Sequence, residues 1–307
     1  MKLTTLLLLF VSCVFLLAIS ITSKAQTTYT NTQLPHVNDC IKRTMSLNVF
    51  ITKDSIGRIS QSSSAYKLAV DSVQMAVDSL NAHLAPICLQ FKVCKITFIE
   101  NHKFNWFNDD RKFGEREDFR NLFCEDSVIN VLYVGLYFSD NVGSSMISMG
   151  NGTDDFSYLS LPPIAKKKKP LVVLAAGKNP LYLAKFILKT MGLQATGSTT
   201  ELVDGSNCLT TGDRICDTPA DFSGSGEFPP TGPFPCVYSG IGMPFTNFPL
   251  DANGAIYSPM IGNLLSDHGI DCTAPAPKAL TAGQYNKLIK LYYGDQSNII
   301  TSWKRYR

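Results

Sequence analysis

The fold turns on Lys185-Phe186-Ile187-Leu188-Lys189-Thr190-Met191-Gly192-Leu193-Gln194-Ala195. Just upstream, the Asn179 side chain can accept a hydrogen bond from a first-turn amide, and Pro180 suits a helix start, where its missing N–H is not needed. Leu181, Leu183, Ala184, Phe186, Ile187, Leu188 and Met191 leave the helix apolar nearly all round. Such a helix has no wet face and is predicted to be buried. Gly192 suits the left-handed exit. Lys185 and Lys189 stand four residues apart and share one face, so a buried helix has to house two ammonium groups.

Working outward, residues 171–174 read as a short strand leading through Gly177 into this helix. Residues 128–136 are β-forming and almost wholly apolar, which suits a central strand covered on both faces. Residues 45–50 alternate loosely as a first strand. Ser64 then precedes Ala65, Tyr66, Ala69, Val70, Val73, Ala76, Val77, Leu80 and Leu84, the spacing of an amphipathic helix with Asp71, Gln74 and Asp78 on its wet face. Residues 87–98 read as a strand, with Leu89, Phe91 and Val93 on one side and Cys88, Cys94, Ile96 and Phe98 mostly on the other. Residues 101–120 read as a charged surface excursion, in which Trp106 and Phe107 either anchor the loop or bind a partner.

The chain has 307 residues, nine of them cysteine, and a formal charge of +3. Lys2 leads into an apolar run over residues 6–21, followed by small residues at Ser23 and Ala25. This is the pattern of a secretory signal peptide cut after Ala25. A retained membrane anchor is the competing reading, since the run is just long enough. Phe10-Val11-Ser12-Cys13 also loosely resembles a lipoprotein box. Cutting after Ala25 removes Lys2 and Lys24, so the charge falls from +3 to +1. That balance is not a polyanion binder's, and no nucleic-acid partner is expected. No later apolar segment is long enough to cross a bilayer.

Eight cysteines follow Cys13: Cys40, Cys88, Cys94, Cys124, Cys208, Cys216, Cys236 and Cys272. An even number in an exported chain predicts disulfides, and there is no Cys-x-x-Cys pair to suggest zinc instead. Cys88 and Cys94, on one strand, would be roughly 20 Å apart and cannot pair. Two staples per half are expected, with Cys208–Cys236 and Cys216–Cys272 in the second.

The segment from Lys185 to Ala195 has the length, apolar rhythm and Gly-Leu ending of the zinc motif HExxHxxGLxH. Cys216-Asp217-Thr218-Pro219 follows it, and Ser258-Pro259-Met260-Ile261-Gly262 keeps the methionine of a turn spelled N-x-M-S-Y. Cys272 comes next, and Thr281-Ala282-Gly283-Gln284 keeps T-x-G-Q. Thr281 with Gln284 is also a capping box, a structural reason for that spelling. In this order the elements resemble the pappalysin-like (cytophagalysin) branch of the metzincin metallopeptidases over residues 130–292, and more loosely over 45–130.

The resemblance implies an α+β, metzincin-like zincin fold. A mixed, mostly parallel twisted sheet would pack on long helices, followed by a disulfide-stapled, loop-rich C-terminal subdomain with a Met-turn remnant at Met260. It implies one domain over 26–292 divided at 195/196, between the signal peptide read over 1–25 and a basic tail over 293–307 that carries Lys304, Arg305 and Arg307. In that family three histidines hold zinc and a glutamate serves as base. Their positions correspond to Lys185, Lys189 and Ala195, and to Phe186. An ammonium has no lone pair to ligate a cation, and Phe186 and Ala195 have no donor at all. The chain's four histidines, His36, His83, His102 and His268, leave none between 103 and 267.

No catalytic residue, metal or cofactor is therefore expected. The two ammonium groups are expected to stand where the cation stood, paired with Asp204, Asp213 or Asp217. The resemblance implies an exported, catalytically inactive protease homologue that binds a protein or peptide through its relict cleft. The alternatives are a hydrolase with a different site and a structural envelope protein. Location would be secreted, periplasmic or cell envelope. Residues 222–249, rich in Gly, Pro and Phe, and residues 150–161 are the candidate specificity regions. Lys166, Lys167, Lys168 and Lys169 form a solvated loop or a basic patch, and Asn151 begins a formal glycosylation sequon.

Overall fold

Strand β1 (Arg43–Thr52) runs into helix α1 (Tyr66–Leu84), a 3-10 turn (Ala85–Ile87) and β2 (Leu89–Ile99). A second 3-10 turn (His102–Asn105) leads to β3 (Trp106–Asn108), α2 (Glu115–Phe123), β4 (Ile129–Val134), β5 (Leu136–Asp140), β6 (Ile147–Met149) and β7 (Gly152–Thr153). Then come β8 (Leu171–Ala175), α3 (Leu181–Thr190) and α4 (Ala282–Gly294). This computed structural model describes residues 40–53, 66–108, 115–140, 147–149, 152–153, 169–176, 179–198, 200–222, 250–260, 262–266 and 278–294. They all lie within one unit, Pro35–Arg307.

The main sheet has the order β2-β1-β4-β8-β7. Its first four strands are parallel and β7 is antiparallel. A smaller sheet has the order β3-β5-β6. The protein is thus α+β, with a mostly parallel sheet packed on helices, as the sequence predicts. β4 takes the central position, and Ile129, Val131, Leu132 and Val134 on it are buried.

One face of the sheet carries Phe50, Leu132, Val134, Leu171, Val173 and Ala175 against Phe104, Phe107 and Phe119. Phe119 sits edge-on to Phe50 and Phe104, with centroids 5.4 Å and 5.2 Å away. Residues 101–120 are therefore more than a surface excursion, because they supply aromatic core and most of α2. Phe107 is the anchor; Trp106 points out and is 64 % exposed. Arg116 and Arg120, both buried, donate to the carbonyls of Leu171 and Lys169 and so fasten α2 to the start of β8. The other face is covered by α1 and α3. α1 buries Val73, Ala76, Val77, Leu80 and Leu84, and leaves Asp71, Gln74 and Asp78 wet.

β2 departs from simple alternation. Leu47 pairs with Val93 but Asn48 pairs with Lys95, so Cys94 is an extra residue in the outer strand. A one-residue bulge flips every later side chain. Ile96 and Phe98 thereby rejoin the face of Leu89, Phe91 and Val93, where unbroken alternation put them opposite.

The disulfides also differ from expectation. Cys40 joins Cys88, and Cys208 joins Cys216, each with Cα atoms 5.1 Å apart. Cys88 precedes β2 in a left-handed conformation, φ 54°, and is not part of the strand. The Cys208–Cys216 bond replaces the expected Cys208–Cys236 and Cys216–Cys272 pairs. Consecutive turns, with Gly212 at φ 58° and Arg214 at φ 60°, fold this short loop back on itself. Cys94 is exposed and free, Cys124 is buried, and Cys236 and Cys272 lie outside the described residues. Asn151, Lys166, Lys167 and Lys168 also lie outside them. Among the described residues, no helix is long and apolar enough to cross a membrane.

Helix α3 ends in a Schellman motif. Leu193 N donates to Leu188 O at 3.1 Å and Gly192 N to Lys189 O at 2.9 Å. Gly192 has φ 105°, and a Cβ there would lie 3.0 Å from Leu291 Cδ1 on α4. Only glycine is comfortable there. Gly192→Ala is expected to cost about 1–2 kcal/mol from the left-handed backbone alone, read as a lower urea midpoint with an unchanged slope. An unchanged midpoint would mean the helix exit can relax.

Candidate functional site

The site begins with the capping of α3. Asn179 Oδ1 accepts from Leu181 N at 3.0 Å, holding the helix start as its sequence predicts. From there the helix buries Tyr182, Leu183, Ala184, Phe186, Ile187, Leu188 and also Lys185, which is 6 % exposed. Its Nζ donates to Ser266 O at 2.8 Å. Lys189, one turn on, is half-buried with Nζ 5.8 Å from the Phe186 ring centroid. Ala195 is half-buried beyond the helix exit.

The carboxylate at this junction is Asp221. Its Oδ2 accepts from Thr196 Oγ1 at 2.6 Å and from Ser266 Oγ at 2.8 Å. Asp221 O accepts from Ser198 N at 2.7 Å, and Thr196 N donates to Leu265 O at 3.3 Å. Asp221 is not among the carboxylates expected from the sequence, where its only clue is its place just after the Cys-Asp-Thr-Pro stretch. The three carboxylates expected there have other positions. Asp204 accepts from Ser206 N in an exposed turn, while Asp213 and Asp217 face helix α4.

That second cluster joins the motif elements quoted from the sequence. Thr281 Oγ1 accepts from Gln284 N at 3.2 Å and Gln284 Oε1 accepts from Thr281 N at 3.0 Å, a complete capping box. Asp217 accepts from Thr281 Oγ1 at 2.8 Å and from Gly283 N at 2.6 Å, so a carboxylate sits at the positive end of α4. A Cβ on Gly283 would lie 2.4 Å from Asp217 Oδ1, which explains the glycine. Fully buried Gln284 also bonds to Asn263 and Asp213, and Asn263 Nδ2 reaches Met260 Sδ at 3.9 Å. Burial pushes Asp213 above the usual carboxylate range, against hydrogen bonds from Thr218, Gln284 and Ile215 N.

Glu201 lies beside this network, 2 % exposed, with its carbonyl accepting from Tyr257 Oη at 2.8 Å. Its carboxyl packs on Gly212, where a Cβ would come within 1.9 Å of Oε2. Desolvation, with repulsion from Asp213 and Asp221, pushes its pKa up to about 7.

The zinc ion implied by the sequence resemblance does not fit residues 185–195. Lys185 offers an ammonium that donates to a carbonyl, where a ligand would have to offer a lone pair. Phe186, half-buried Lys189 and Ala195 do not repair that deficit. Among the described residues, no three His, Cys, Asp or Glu side chains are grouped to hold a metal ion.

No protein-family model matches the chain. No curated protein matches it either. Among solved structures, mirolysin in complex with compound 9 is similar at 14% identity and a TM-score of 0.46, covering 85% of this chain and 95% of that one. Metalloproteinase-II from Bacteroides fragilis is similar at 13% identity and a TM-score of 0.30, covering 62% of this chain and 52% of that one.

Glu201 makes stability depend on pH with a definite sign. Its pKa rises from 4.5 to about 7 on folding, so the stability gained by keeping it protonated is present below pH 4.5 and is lost as pH rises through 7. Glu201→Gln should therefore melt higher than the wild type at pH 8, by at least about 2–4 °C, the shift that each kcal/mol produces in a domain of roughly this size. The difference should close by pH 4.5 in calorimetry. A difference that stays constant from pH 4.5 to 8 would rule out titration of Glu201.

Proposed function

We propose that the chain is an exported, catalytically inactive relative of the pappalysin-like metallopeptidases that binds a protein or extended peptide through its relict cleft. The observation that carries this reading is Lys185, which in the sequence resemblance takes the place of the first zinc-binding histidine, and whose buried ammonium donates to the Ser266 carbonyl. A peptidase of that family needs neutral imidazoles and a carboxylate base on this helix. This helix offers cations and phenylalanine.

Export is supported by residues 1–25, which have the pattern of a signal peptide, and by two disulfides, which form in oxidising compartments. The mature chain would then be one domain over 26–292, divided at 195/196, with a basic tail over 293–307. Met260 would be the remnant of the Met-turn. Peptide binding needs no metal, because an extended chain added to a sheet edge is held by main-chain hydrogen bonds. β7 supplies an antiparallel outer strand beside β8, and β8 leads directly into α3. Residues 150–161, which include β7, and residues 222–249 are the proposed specificity regions.

The test uses the oxidised chain from residue 26 onward, dialysed against trace zinc. Expected are zinc near zero per molecule, no cleavage of a quenched fluorescent peptide library, and saturable retention of a subset of the same peptides. One tightly bound zinc together with cleavage would overturn the reading.

A further inference from the structure

Lys185 and Asp221 are charges of opposite sign inside the protein, the first 6 % exposed and the second fully buried. A buried charge is tolerated only when it is compensated, and these two share one intermediary. The Ser266 carbonyl accepts from Lys185 Nζ at 2.8 Å, and the Ser266 hydroxyl donates to Asp221 Oδ2 at 2.8 Å. Thr196 Oγ1 completes the cluster at 2.6 Å from the same oxygen.

The cluster gathers four stretches of chain: α3 brings Lys185, the stretch after its exit brings Thr196, residues 200–222 bring Asp221, and residues 262–266 bring Ser266. Among the described residues the neighbouring backbone ties are an isolated bridge between Gly197 and Asp221, Ser198 N to Asp221 O, and Thr196 N to Leu265 O.

We propose that Lys185 and Asp221 form an electrostatic clamp that closes the second half of the chain onto α3, an ammonium doing the cross-linking that a bound metal would otherwise do. The comparison with a metal rests on the function proposed above, but the clamp rests on the contacts alone. It makes the closure of this shell independent of transition metals.

The test is a double-mutant cycle on the oxidised chain, comparing Lys185→Met, Asp221→Asn and the double variant by urea unfolding. Each single change removes one of the two opposite charges from the shared Ser266 cluster, so each should lower the folded-to-unfolded ratio by about 100-fold or more. The double variant removes both, and its ratio should be at least about tenfold above the value expected from multiplying the two single effects. If a single variant does not fold, a folded double variant supports the clamp and an unfolded one overturns it. Additive effects also overturn it. In the wild type, 1,10-phenanthroline and added zinc should both leave Tm unchanged; a fall in Tm with phenanthroline would put a metal in the clamp's place. A chain that cleaved peptides yet showed the coupling would lose the proposed function and keep the clamp, and the reverse result would separate them the other way.

Discussion

Between α3 and α4, the described buried backbone finds its hydrogen bonds with only isolated bridges in place of a ladder, and this requirement shapes the loops there. Unpaired buried amides and carbonyls are costly, so side chains take the place of neighbouring strands. One carboxylate, Asp251, accepts from Val203 N at 2.8 Å, Asn253 N at 2.9 Å and Ala255 N at 2.8 Å. Asn207 accepts from Leu202 N and donates to Thr200 O. Asp213 holds Ile215 N, and Asn263 holds Leu265 N. Short polar residues at such spacings are the second half's counterpart of the valines and leucines in β4 and β8. They also bury carboxylates close together, and the pKa of Glu201 is raised first by that burial and then by repulsion from Asp213 and Asp221.

Much of the first half was legible because period and burial agree there. The run over 128–136 has no polar face and became the central strand. The spacing from Val73 to Leu84 became the dry side of α1, and in the second half Thr281 with Gln284 formed the capping box of α4. What stayed hidden were features that leave no period. Cys94 looks like an ordinary strand residue, yet as the bulge it reverses the phase of everything after it. Cys208 and Cys216 look too close for a staple until two residues with positive φ turn the loop between them. At the candidate site the two lysines could be found and so could the need to neutralise them. Which aspartate would serve could not, because Asp221 and Lys185 meet at Ser266, 81 residues along the chain from the lysine.

The bulge in β2 has a consequence for how the protein behaves among copies of itself. β2 is an outer strand of the main sheet, and a regular outer strand offers a row of amides and carbonyls to any passing chain. Here the extra residue breaks the repeat near the middle of the strand, and exposed Lys92 and Lys95 stand on either side of it. A second molecule trying to extend the sheet would meet a backbone out of step with its own and two hydrated ammonium groups to dehydrate. Among the described strands, the bulge makes β2 a poor template for edge-to-edge pairing.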